Sequence, residues 1–68
     1  MTVLVNGTSI ELSATASVTD AVHAAGHEGK AFGVAVALNG EVVPKGSWDS
    51  TMLAEADKVE VLVAAQGG

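Results

Sequence analysis

The chain has 68 residues, 49% of them hydrophobic, with one Phe, one Trp and no Tyr, which describes one small domain around a thin core of mostly Ala and Val. That is too little to enclose a large catalytic pocket and too apolar for disorder. Eight acidic residues against three lysines give a net charge of -5, which argues against nucleic acid as a partner, and the absence of cysteine removes disulfides, thiolate metal sites and thiol nucleophiles.

The opening Met1 to Gly7 has neither a basic stretch nor an apolar run long enough for a signal peptide or a membrane span, so a cytoplasmic, membrane-free protein is expected. Thr2-Val3-Leu4-Val5 is short and rich in β-branched residues. Asn6-Gly7 is a strong two-residue hairpin signal, and Ser9-Ile10-Glu11-Leu12 then alternates. Val3, Val5, Ile10 and Leu12 should face the core, with Leu4 on the opposite face. Asn6-Gly7-Thr8 also fits a glycosylation acceptor, but without a secretory signal it reads as a turn. Ser17 followed by Asp20 resembles a capping box, weakened by the short Asp side chain, and predicts a helix from about Val18. Val18, Ala21, Val22 and Ala25 form one apolar stripe over about two and a half turns, and Gly26 ends it.

Beyond the loop to Lys30, Phe32 to Leu38 is apolar on both parities, so a central strand is expected with Val34, Val36 and Leu38 toward the helix. Asn39-Gly40 repeats the hairpin signal, Glu41-Val42-Val43 returns, and Pro44 stops the strand. The irregular stretch from Lys45 to Asp57 offers Trp48 and Leu53 as core anchors and room for one helical turn. Lys58 to Val63 closes the domain, with Val59, Val61 and Val63 inward and Leu62 outward. Residues 1-63 thus form one domain and 64-68 a flexible tail. Hairpin, helix, hairpin and final strand make an α+β fold of the ubiquitin-like β-grasp type, a mixed sheet of four or five strands with one helix across one face.

Chemistry outside the tail is thin. His23 and His27 stand at metal-ligand spacing, but Gly26 intervenes and no third ligand follows, so no metal site is expected. Gly26 to Lys30 lacks the spacing and the Ser or Thr of a phosphate loop. Leu4 and Leu62 share the face away from the helix and are candidates for a partner-docking patch, with Glu55, Asp57 and Glu60 as an acidic rim. The tail Ala64-Ala65-Gln66-Gly67-Gly68 can reach at most about 16 to 18 Å when extended, enough to thread a carboxylate into another protein's active site. Without a Cβ, Gly67 and Gly68 clear a narrow channel, and the Gly68 carboxylate is an anion able to attack the α-phosphate of ATP if a partner supplies the metal.

The chain resembles the sulfur-carrier family of thiamine biosynthesis, the ThiS family, along nearly its whole length. The resemblance rests on Met1 to Asn6, on Asn39-Gly40-Glu41-Val42-Val43-Pro44 followed by Trp48, on Leu53 with Asp57 to Leu62, and on Gly67-Gly68. Ala56 departs from it, since that position is often Gly in the family; if the turn needs φ > 0, Ala56 is strained. The resemblance implies a protein co-substrate, not an enzyme, that binds no cofactor of its own. Gly68 would be adenylated with ATP and Mg by an E1-like activating enzyme, converted to a thiocarboxylate by a persulfide-bearing donor, and would pass its sulfur to thiazole synthase. Gly67 would give clearance, and Leu4 with Leu62 would dock. The same tail also suits a sulfur carrier for molybdopterin, cysteine or tRNA thiolation, a ubiquitin-like protein modifier, or a non-covalent module.

Overall fold

The computed structural model describes residues 1-26 and 33-63. Five strands form one sheet: β1 (Thr2–Val5), β2 (Thr8–Glu11), β3 (Val34–Leu38), β4 (Glu41–Val43) and β5 (Lys58–Val63), in the order β2-β1-β5-β3-β4. One α-helix among the described residues, α1 (Val18–Ala24), packs across one face. β1 runs antiparallel to β2 and parallel to β5, while β3 is antiparallel to both β4 and β5. This is the ubiquitin-like β-grasp layout that the order of elements predicts.

Local chemistry accounts for each turn. Asn6 and Asn39 both take φ 51°, each followed by a glycine with positive φ, as a tight two-residue hairpin turn requires. Ser17 sits at the N-cap of α1 in an extended conformation, and its backbone N–H donates to Asp20 Oδ2 at 2.8 Å, so the short Asp side chain does reach back. The helix is shorter than its stripe suggests, 7 residues, and ends at Ala25 where Gly26 turns to φ +88° and donates its N–H to the His23 carbonyl. Pro44 ends β4 and precedes one 3-10 turn (Lys45–Ser47).

The core joins sheet and helix through small side chains. Val3, Val5, Val18, Ala21, Val22, Val36, Val59 and Val61 are buried, with Ile10, Leu12, Ala25, Val34 and Leu38 packed around them. Trp48 and Leu53 supply the bulk, and the Trp48 Nε1–H donates to the Val43 carbonyl at 3.0 Å. Phe32 lies outside the described residues. Two expectations need correction. The middle of the sheet is β5, with β3 one place further out. Val63, expected inward, is 56% exposed: alternation puts it on the helix side, but the buried row ends at Val61, and among the described residues it is not part of the core cluster.

Candidate functional site

β5 lies at the centre of the sheet. β5 is hydrogen-bonded on both flanks, to β1 through the pairs Leu4↔Lys58 and Val5↔Val59, and to β3 from Val34↔Val63 to Leu38↔Val59. Its inward residues Val59 and Val61 are buried. Residues 64-68 follow this strand in the sequence; Gly67, expected to give clearance, and Gly68, expected to react, lie outside the described residues.

Two asparagines tie β5 further. Asn6 leaves β1 at the turn, and its carboxamide takes over the ladder: Nδ2 donates to the Val61 carbonyl at 3.1 Å and Oδ1 accepts the Val61 N–H at 2.8 Å. The side chain thus pairs with Val61 as the next strand residue would. Across the strand, Asn39 Oδ1 accepts the Lys58 N–H at 2.9 Å, its Nδ2 donates to Asp57 Oδ1 at 3.1 Å, and its backbone N–H donates to the Lys58 carbonyl at 2.7 Å. Both residues announce a turn in the sequence; neither signals its second role, because Asn6 and Val61 are 55 positions apart.

On the face away from α1, Leu4 and Leu62 line one shallow depression together with Lys58 and Glu60. They do not adjoin. Leu4 pairs with Lys58, so Leu62 stands four residues further along β5, about 13 Å at the usual strand rise, with Lys58 and Glu60 outward between them. Leu4 is half-buried and Leu62 is 65% exposed. Leu62 pairs instead with Ala35, and Ala37 with Val42, which extends the apolar character of this face toward the β4 edge. Of the acidic rim, Glu55 accepts the Thr2 N–H and Asp57 accepts both the Ala54 N–H and the Asn39 carboxamide, so both brace turns, while Glu60 is exposed.

His23 is exposed on α1, and His27 lies outside the described residues. Among the described residues, no group of three or more His, Asp or Glu side chains gathers at metal-binding distance, and no helix is long and apolar enough to cross a membrane.

A twisted mixed sheet with one crossing helix, and a terminal strand held between β1 and β3, defines a ubiquitin-like β-grasp protein. Residues 3-68 match the family described as ThiS. Over the full length of both chains this protein is 33% identical to the thiamine biosynthesis protein (ThiS) of Geobacter metallireducens, whose crystal structure superposes with a TM-score of 0.79. No curated protein matches. The chain belongs to the ThiS family, the one that its hairpin and terminal motifs resemble.

Proposed function

We propose that this chain is the sulfur carrier of thiazole formation in thiamine biosynthesis and that its reacting atom is the carboxyl carbon of Gly68. An E1-like enzyme, using ATP and Mg, joins that carboxylate to AMP and releases pyrophosphate. The outer sulfur of a persulfide-bearing donor then attacks the acyl-adenylate carbon and expels AMP, and a second thiol reduces the resulting acyl disulfide, leaving a thiocarboxylate on Gly68 and a disulfide on the donor; thiazole synthase consumes the thiocarboxylate. The chain is the substrate of these steps and supplies no catalytic group.

The observation that carries the reading is the anchorage of β5. A strand paired with β1 at Lys58 and Val59, clamped at Lys58 and Val61 by two carboxamides and paired with β3 along its length is held to the sheet up to its last ladder pair, Val34↔Val63. A globule held in this way adds little ordering cost of its own when a partner engages the chain beyond Val63. Family membership and the Gly67-Gly68 ending agree with this reading. Leu62 and Leu4, at the two ends of the outer depression, are proposed as apolar contacts to the activating enzyme, with Glu60 between them facing a basic group.

Deleting Gly68, or replacing it in Gly68→Ala, should leave folding unchanged and abolish ATP-pyrophosphate exchange by the activating enzyme. Undiminished exchange would overturn the proposal. Intact-mass measurement on protein from cells running the whole pathway separates the remaining readings: sulfur in place of oxygen on Gly68 marks a carrier, and conjugates through a lysine amine mark a modifier.

A further inference from the structure

The two clamps on β5 share a covalent weakness. Asn6 and Asn39 are each followed by glycine, and among the described residues nothing but the chain neighbours lies within 4 Å of the place where a Cβ on Gly7 or Gly40 would stand. In an Asn-Gly pair the unhindered glycine nitrogen can attack the asparagine Cγ. The N–Cγ bond forms and the Cγ–Nδ2 bond breaks. Nitrogen leaves as ammonia, taking the proton given up by the backbone amide. Water then opens the resulting succinimide at either carbonyl, leaving aspartate or isoaspartate, with no change of oxidation state and no cofactor.

We propose that Asn6-Gly7 and Asn39-Gly40 form a paired deamidation site whose rate is set by whether β5 is docked, and whose reaction releases β5. While the strand is docked, both polar atoms of each carboxamide are engaged, with Val61 at one turn and with Lys58 and Asp57 at the other. Turning Cγ toward the glycine nitrogen breaks both bonds. Once formed, the acid cannot rebuild the clamp. At position 6 the Nδ2 donor is lost, and a carboxylate oxygen faces the Val61 carbonyl. At position 39 a carboxylate faces the Asp57 carboxylate, which already accepts the Ala54 N–H at 2.7 Å. Each conversion therefore turns a donor-acceptor contact into an acceptor-acceptor one. The Asn39 bonds are exposed to water and the Asn6 bonds are half-buried, so Asn39 reacts first in the folded protein.

The test incubates folded protein and urea-unfolded protein side by side in mildly alkaline buffer. Peptide mass mapping and enzymatic methylation of isoaspartate follow conversion at each site. Folding should slow conversion by about tenfold or more, the scale that two net hydrogen bonds set, with Asn39 ahead of Asn6. In urea the two sites should react at similar rates. Asn39→Asp should lower the unfolding midpoint and speed amide exchange along β5, and adding Asp57→Asn should restore both, because the new carboxamide can donate to residue 39 while still accepting from Ala54. Asn6→Asp should show the loss without that rescue. Equal rates with and without urea, or an Asn39→Asp midpoint equal to that of the parent, would overturn the proposal; the Asn39 pair decides it even where Asn6→Asp fails to fold.

Discussion

Ala56 carries the clearest local strain among the described residues. It takes φ 70°, a left-handed conformation that costs a residue with a Cβ about 1 to 2 kcal/mol. Its surroundings hold it there. Its N–H donates to the Thr2 carbonyl at 2.7 Å, the Glu55 carboxylate accepts the Thr2 N–H at 2.9 Å, and Asp57 accepts the Ala54 N–H across the turn. Ala56→Gly should therefore stabilise the protein by up to about 1 kcal/mol, the relieved strain less the added freedom of the unfolded chain. In a domain this small that is an upward shift of several degrees in thermal midpoint, measurable by calorimetry. The sequence identifies the residue at risk, because turns with φ > 0 favour Gly and Asn. It does not show what enforces the angle, since the enforcing Thr2 lies at the other end of the chain.

Among the elements, α1 and the two hairpins are legible because their signals are local: a cap, a stripe, a glycine stop, an Asn-Gly turn. What fixes α1 on the sheet is not. The Val18 N–H donates to the Thr51 carbonyl and the Leu53 N–H to that of Ala16, so residues 51-53 brace the helix start through a bridge that no period reveals. β5 shows the same division. Alternation assigns Val63 to a face but cannot say where the cover ends, and it cannot foresee that charged Lys58 and Glu60 part Leu4 from Leu62. Stability should concentrate on this strand. Val59 is 1% exposed, and Val59→Ala should cost about 2 to 3 kcal/mol, from lost methyl burial plus the cavity left behind. That is a large share of the roughly 3 to 10 kcal/mol expected for a domain of this length, and urea denaturation would register it as a lower midpoint with an unchanged slope.

At the scale of the whole molecule the excess of negative charge, -5, acts on encounter with a partner and not on the fold. If the proposed activating enzyme meets the Glu60 face with basic groups, raising the salt should raise its KM for this protein several-fold and leave kcat unmoved, because screening at about 10 Å in 0.1 M salt weakens approach but not the chemistry that follows docking. Glu60→Lys should produce the same rise at low salt and flatten the salt dependence, both read from exchange kinetics. The parallel course of β1 and β5 has a separate practical result. Leu4 lies beside Lys58 and Asn6 beside Val61, so Met1 and Val63 sit at opposite poles of the sheet, about 25 Å apart along the strands. The Met1 amine donates to the Leu12 carbonyl at 2.7 Å, a bond that a peptide N–H can replace. An affinity tag or fluorophore fused ahead of Met1 would therefore ride on the side of the domain away from Val63, so that a partner could bind at the Val63 pole while the label reports on it.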